Sequence, residues 1–158
     1  MGALFPGLHG MANYHPLIVH FPIALWIAAL IFELAARIMK SDRMHQTACA
    51  ALALGALAAI PAVASGWSAE SAVPAAGPAH DVKELHETLM VTSSILSGVL
   101  AVLGILILPR RPLASLRAAF LLGLLLLAGM VSLGADRGAL LVYHFGTSVD
   151  WAAAQKQQ

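Results

Sequence analysis

Charge is the first thing that this sequence lacks. Only 11% of its 158 residues are charged, whereas a soluble domain carries roughly 25%. The formal net charge is +1, and no basic stripe gives the chain the electrostatic footprint of a nucleic-acid-binding protein. Hydrophobic residues make up 59% of the sequence, and the mean hydropathy is +0.81. These values predict a membrane protein, and the length allows a single domain, residues 1–158.

Cysteine is nearly absent as well. The single Cys49 excludes an internal disulfide, a Cys-x-x-Cys-His site for covalent haem, and a zinc cluster built from several cysteines. The sequence also lacks the P-loop, G-x-G-x-x-G, H-E-x-x-H and G-x-S-x-G motifs. No Lys or Arg precedes Arg37, so the basic region of a signal peptide is missing. The first apolar segment is therefore expected to remain in the protein as a membrane span.

Long apolar runs are what the sequence does contain. A helix needs about 20 apolar residues to cross the hydrocarbon core of a bilayer. Four segments meet or approach this length: residues 17–39, 47–67, 85–108 and 118–135. Short connections place consecutive helices side by side and antiparallel. The predicted fold class is therefore an all-α membrane protein with a four-transmembrane-helix up-down bundle.

The basic residues predict the orientation of this bundle. Six of the nine lie around the first and third connections: Arg37, Lys40, Arg43, Arg110, Arg111 and Arg117. The second connection, residues 68–81, carries none. The positive-inside rule makes the basic connections cytoplasmic. Both termini and the second connection are then periplasmic, and the protein is expected in the cytoplasmic (inner) membrane of a bacterium.

Four of the seven histidines stand at or just inside the predicted outer face: His15, His20, His86 and His144. Ionisable groups at membrane depth are costly and tend to be functional. Neutral imidazole is a good ligand for haem iron and tolerates an apolar setting. His20 and His86 have similar depths on helices that are diagonal in an up-down bundle. We therefore expect these two side chains to bind one haem between them.

A second pair of ligands is expected nearer the surface. Five residues of helix turn His15 about 140° away from His20, so the two imidazoles suit separate sites. His144 follows the fourth span and faces His15 if the chain bends back at Gly134 or Gly138. The alternative for each histidine is a structural role, with its ring N–H bonded to a backbone carbonyl.

Other polar residues also allow two interpretations. Glu33 lies inside the first span, where it either pairs with Arg37 one turn away or belongs to a proton path. His45 falls in the first connection and is expected to be a solvated loop residue. His80 falls in the second connection and is expected to lie in a loop as well.

Residues 15–25 read HPLIVHFPIAL, which resembles the opening of a bacterial membrane family of unknown function, domain of unknown function twenty-two thirty-one. Further marks of that family follow in order: SGW at residues 65–67, HE at 86–87 and GALLVYHFG at 138–146. The resemblance covers residues 13–146. The chain departs from the family at Arg137-Gly138, where a glycine pair is more usual, and at 144–146, where His-Gly is commoner.

The layout is similar to that of four-helix b-type cytochromes, which bind two non-covalent haems between their helices and pass electrons. This similarity implies one or two haem b groups, with His20, His86, His15 and His144 as ligands. It further implies electron exchange with a periplasmic redox protein or a quinone, as a subunit of a larger membrane complex or a homo-oligomer rather than as a stand-alone enzyme. Because a fold does not fix a function, two alternatives stay open: a cofactor-free structural or anchoring subunit, and a copper-binding protein.

Overall fold

The architecture was analysed in a computed structural model that describes residues 4, 8, 11, 13–70, 73–107, 114–147 and 149. Four helices follow one another along the chain: α1 (His15–Met39), α2 (Asp42–Ala69), α3 (Pro78–Ile107) and α4 (Ala114–Tyr143). Each is long and apolar enough to cross a membrane. The described part of the chain contains no strand. The prediction of an all-α protein with four membrane-spanning helices is confirmed.

The first two helices are joined by a very short connection. Pro16 occupies the first turn of α1, where the missing N–H of proline costs nothing. After the end of α1, Lys40 adopts the left-handed conformation (φ 51°), which turns the chain sharply. Ser41 then caps α2, because its hydroxyl accepts a hydrogen bond from the Met44 N–H at 3.4 Å. With only two residues between them, α1 and α2 run antiparallel and side by side.

The four helices close into a ring. Each helix packs against the next one along the chain, and α4 packs against α1. Helices α1 and α3 are therefore diagonal to each other, as an up-down bundle requires. The α1–α2 and α3–α4 hairpins pack more closely within themselves than against each other. The space for a ligand lies between the hairpins rather than within one.

The core of the bundle depends on close contact between helices. Trp26 of α1 is buried against α2, where a Cβ at Gly55 would lie 2.7 Å from its ring. Phe120 of α4 is fully buried in the same core. The outward faces of the helices expose large apolar side chains, as surfaces in contact with lipid do. Examples from all four helices are Ile31, Ile38, Leu57, Ile60, Ile95, Val102, Leu122 and Leu126.

All four helices begin earlier than the hydropathy of the sequence predicts, and the difference is largest for α2 and α3. Helix α2 begins at Asp42 and not at residue 47, so His45 lies in a helix and is 4% exposed. Its prediction as a solvated loop residue is wrong. Helix α3 begins at Pro78 and not at residue 85, so His80 lies in the first turn of that helix and not in a loop. Polar residues continue a helix beyond its apolar segment wherever the backbone hydrogen bonds continue, and hydropathy does not report those bonds.

Helix α4 ends later than predicted. It continues from residue 135 to Tyr143 and is helical through Gly134 and Gly138, so the condition under which His144 would face His15 is not met. Both glycines face side chains of α3. A Cβ at Gly134 would lie 2.5 Å from Met90 Sδ, and one at Gly138 would lie 3.0 Å from His86 Cε1. The two glycines therefore serve close packing of α4 against α3 and not a turn.

The two ends of the bundle differ in chemistry. One end, here called the basic end, carries Arg37, Lys40, Arg43 and Arg117. The opposite end, here called the histidine end, carries His15, His20 and His86. Arg110 and Arg111, which contribute to the predicted orientation, lie outside the described residues. Among the described residues, four of the six Lys and Arg lie at the basic end, whereas Lys83 and Arg137 lie at the histidine end and His45 lies at the basic end.

Candidate functional site

A cavity of about 470 Å³ opens at the histidine end, between the ends of all four helices. It is here called the histidine cavity, because His15, His20 and His86 all line it. Apolar side chains such as Val19 and Val63 form much of the remaining wall. Pockets for small molecules have volumes of roughly 300–1,000 Å³ and combine apolar walls with a few polar groups. The histidine cavity has the size and the lining of a ligand site.

Two imidazoles from diagonal helices meet in this cavity. The ring centroids of His15 on α1 and His86 on α3 lie 6.4 Å apart, and the ring planes are nearly perpendicular, at 88°. The sequence predicted a histidine of α1 beside His86. It indicated His20 as the partner of His86, whereas the ring that lies against His86 belongs to His15.

The orientation of His15 is fixed by α2. His15 Nδ1 lies 3.0 Å from the hydroxyl oxygen of Ser65. That hydroxyl donates its own hydrogen to the Ala62 carbonyl at 2.8 Å, so it accepts the hydrogen bond from His15 Nδ1–H. A Cβ at Gly66 would lie 3.1 Å from His15 Cε1, which means that the ring rests directly on the α2 backbone. With the proton held on Nδ1, the lone pair of His15 is on Nε2.

The orientation of His86 is fixed in the same way by α4. His86 Nδ1 lies 2.7 Å from the Gly134 carbonyl oxygen, which can only accept, so Nδ1–H donates. A Cβ at Gly138 would lie 3.0 Å from His86 Cε1, so this ring also rests on a bare helix backbone. The lone pair of His86 is therefore on Nε2 as well. Histidines that ligate metals characteristically donate their other ring N–H to a carbonyl or a similar acceptor.

The four sequence motifs converge on this one site. HPLIVHFPIAL supplies His15, SGW supplies the hydroxyl and the glycine that hold it, and HE supplies His86. GALLVYHFG supplies Gly138, against which the His86 ring packs. The motifs also contact each other directly, because Trp67 Nε1 of SGW donates to Glu87 Oε1 of HE at 3.0 Å. Motifs that are far apart in the sequence thus build one structural unit.

A family model described as "Predicted membrane protein (DUF2231)" matches residues 12–151. The chain belongs to this family. The match spans all four helices and includes the four motifs, so the family resemblance and the multi-pass membrane character are confirmed. No curated protein and no solved structure matches the chain. The description of the DUF2231 family names no ligand, and the geometry of the site carries the functional argument.

The rim of the cavity carries one cationic and two acidic side chains, which form a single network. Lys83 pairs with Glu70 of α2 and, at 3.3 Å, with Glu87 of its own helix. All three side chains line the cavity, as does Trp67. Glu87 is bonded to both Trp67 and Lys83. This network links the end of α2 with the beginning of α3 across the mouth of the cavity.

The other two predicted ligands occupy different positions. His20 is exposed, lines the same cavity and donates its Nδ1–H to the Pro16 carbonyl. His15 and His20 therefore border one cavity, not two separate sites. His144 follows the end of α4, is exposed, and packs edge-on against Phe145 at 4.8 Å. The straight α4 does not bring His144 to His15, and the described residues that line the cavity do not include it. The ligand roles of His20 and His144 stay predictions.

Proposed function

We propose that the protein is a b-type cytochrome, an electron-transfer subunit that binds haem non-covalently between α1 and α3. The distance between the imidazoles of His15 and His86 supports this proposal most directly. Bonds between a metal and an imidazole nitrogen are about 2 Å long, so two imidazoles on opposite sides of one metal ion have centroids about 6 Å apart. The observed separation of 6.4 Å is close to that value.

The chemistry of the two ligands fits the same cofactor. Each Nδ1–H is engaged by an oxygen acceptor, Ser65 or Gly134, which leaves each Nε2 able to ligate a metal. Among the described residues, no group of three or more His, Cys, Asp or Glu side chains is arranged to hold a metal ion. A six-coordinate haem takes four nitrogens from its own macrocycle and requires only two axial ligands from the protein. The pair of His15 and His86 meets that requirement.

Haem, when bound, supplies one-electron redox chemistry. The residues of the chain hold it, orient it and set its surroundings. Val19, Val63 and Met90 provide an apolar wall that limits the access of water. Lys83 lines the cavity and would have to exchange its pairs with Glu70 and Glu87 to bind a carboxylate of the cofactor. Axial ligation and burial are the means by which a protein tunes the potential of such a group.

We further propose that the histidine end faces the periplasm and that the basic end faces the cytoplasm of a bacterium. Six of the nine Lys and Arg residues lie around the two connections at the basic end, and residues 68–81 carry none, which supports this orientation. A haem under the outer membrane face is then close to a periplasmic redox protein or to a quinone in the bilayer. The protein acts as an electron-transfer subunit of a larger complex or of a homo-oligomer in the cytoplasmic (inner) membrane.

A reduced-minus-oxidised optical spectrum of the purified protein tests this function. Expression with an adequate haem supply should give a Soret band and an α-band that respond to reduction. His15→Ala and His86→Ala should each abolish the same spectral species, whereas His80→Ala, which alters a half-buried histidine of the first turn of α3, should not. A colourless preparation would refute the cytochrome and favour a structural or anchoring subunit. Copper in stoichiometric amounts, without haem, would favour direct metal binding.

The same spectra decide among the ligands that the sequence indicated. His20→Ala should leave the main species in place if His15 and His86 are the axial pair. Loss of that species in His20→Ala, with retention in His15→Ala, would restore the pair His20 and His86. A second species that disappears in His144→Ala would indicate a second haem nearer the surface.

A further inference from the structure

A second polar cluster lies at the basic end, far from the histidine cavity. Its members are Glu33, His45 and Cys49, which are 1%, 4% and 2% exposed. Glu33 Oε2 lies 2.6 Å from His45 Nδ1, and His45 Nε2 lies 3.8 Å from Cys49 Sγ. Carboxylate, imidazole and thiol thus form one hydrogen-bonded chain that connects α1 with α2. Ionisable groups buried in a membrane span are costly, so their retention indicates a use.

A carboxylate, an imidazole and a thiol in this order can activate a cysteine as a nucleophile. Here, however, no space is left beside Cys49 Sγ for a substrate. A Cβ at Gly104 would lie 2.9 Å from Cys49 Sγ, so the backbone of α3 covers the thiol. The Phe120 ring packs edge-on against His45, with centroids 5.6 Å apart. Nucleophilic catalysis requires a reacting atom beside the nucleophile, and this packing excludes one. The described residues also provide no set of three ligands for a metal ion here.

The hydrogen-bonding groups of the cluster allow His45 to bind one more proton. When His45 is neutral, Nδ1–H donates to Glu33 and Nε2 accepts from the Cys49 thiol. When His45 is protonated, Nε2–H donates to the sulfur, and the thiol hydrogen turns away. The hydrogen bond between Nε2 and Sγ is retained in both states, so no heavy atom has to move. Proton uptake therefore leaves no newly unpaired ring nitrogen in the core.

Charged side chains extend from Glu33 to the exposed surface at the basic end. Arg37 of α1 pairs with the second oxygen of Glu33 at 3.3 Å, and its side chain is 35% exposed. Arg37 also donates to the backbone carbonyl of Arg117 on α4, and Arg117 pairs with Asp42 of α2 at 2.9 Å. The residue of α3 that lies against the cluster is Gly104, which has no charged side chain. Arg37 thus lies between the buried carboxylate and the water at the basic end.

We propose that Glu33 and His45 form a proton-binding site at the basic end, with Cys49 as the inner hydrogen-bond partner of the imidazole. One proton passes from the aqueous phase at the basic end to His45 Nε2 and returns to the same phase. The carboxylate of Glu33 then lies between two cations, the imidazolium at Oε2 and Arg37 at Oε1. The proposal is independent of haem, because the histidine cavity lies at the opposite end of the bundle.

Nuclear magnetic resonance of protein labelled with ¹⁵N-histidine, in lipid nanodiscs, tests the proposal. The two ring nitrogens of His45 should change their chemical shifts together, in one reversible step, as the pH is varied from mildly acidic to clearly alkaline. Glu33→Gln, which keeps an acceptor but removes the charge, should move that step to lower pH by about 1 unit or more. Nitrogen shifts of His45 that stay constant over the whole range would overturn the proposal and make the pair a fixed structural link.

Two variants and one internal reference complete the test. Cys49→Ser keeps a side chain that both donates and accepts, so the His45 step should persist. Cys49→Ala removes the partner of Nε2 and should shift the step. His80, which pairs with the exposed Glu84 at 3.2 Å, lies at the opposite end of the bundle and is the second histidine followed in the same sample. A His45 step identical in Glu33→Gln and in the unaltered protein, with both folded by circular dichroism, would also refute the proposal.

Discussion

His15 and His86 lie on helices that are diagonal in the bundle, and each ring rests on a glycine of a neighbouring helix. The His15 ring packs on Gly66 of α2, and the His86 ring packs on Gly138 of α4. The position of both imidazoles is therefore decided by helices that do not carry them. The absence of a side chain at these two glycines is as important for the site as the histidines themselves.

Gly138→Ala should disturb the site, because its Cβ would lie 3.0 Å from His86 Cε1. Overpacking of this kind typically costs about 1–3 kcal/mol. The matched control is Gly129→Ala on the same helix, where a Cβ meets nothing within 4 Å. That control should be neutral or stabilise the helix by up to about 1 kcal/mol. Thermal unfolding in detergent measures both, and equal effects of the two substitutions would contradict the packing argument.

Ser65→Ala should weaken the hold on His15, since it removes the acceptor of the Nδ1–H hydrogen bond. Leaving a half-buried donor without a partner costs about 1–3 kcal/mol. Ser68→Ala is the control, because the Ser68 hydroxyl bonds only to the carbonyls of Ala64 and Ser65 in the preceding turn. Denaturant unfolding should show a clear loss for the first variant and little change for the second. Similar losses would show that His15 does not depend on this hydroxyl.

Glu33→Leu should destabilise the protein far more than Arg37→Leu. Removal of one partner from a buried ionic pair costs about 3–5 kcal/mol, and Glu33 and His45 are both buried. Arg37 pairs with the same carboxylate but is partly exposed, and water screens its pair more than it screens the pair with the buried His45. Unfolding free energies of the two variants test the difference. Comparable values would mean that Glu33 acts chiefly through Arg37.

The proposed orientation is testable with single cysteines. Ala75→Cys places an exposed thiol between α2 and α3 at the histidine end, and Gln46→Cys places one in the first turns of α2 at the basic end. Cys49 is buried and should remain unlabelled, so it does not interfere. A thiol reagent that cannot cross the membrane, added to intact cells, should label only Ala75→Cys. Labelling of Gln46→Cys alone would reverse the orientation.

Hydropathy was sufficient to predict the four helices, their order and the diagonal placement of α1 and α3. It was not sufficient to locate the helix ends, because Asp42 and His80 belong to polar segments that still form helix. The wrong prediction of a solvated environment for His45 followed from that error. Once α2 begins at Asp42, His45 lies one turn inside the helix and faces Glu33 instead of water.

The sequence indicated the histidines of the site but not which ring of α1 lies against His86. The rotation of a helix about its own axis depends on packing with its neighbours, and spacing along one helix does not specify it. His15 and His20 both reach the cavity, yet the contact with Ser65 and Gly66 selects His15. The motif SGW carried a signal for this selection, since a small residue beside a hydroxyl indicates close approach. Its partner helix could not be read from the sequence.

Both members of the buried Glu33–His45 pair belong to one hairpin, whose helices are separated by Lys40 and Ser41 alone. The partner that lowers the cost of the Glu33 carboxylate in lipid is therefore encoded within the same half of the chain, and this pair requires no residue of α3 or α4.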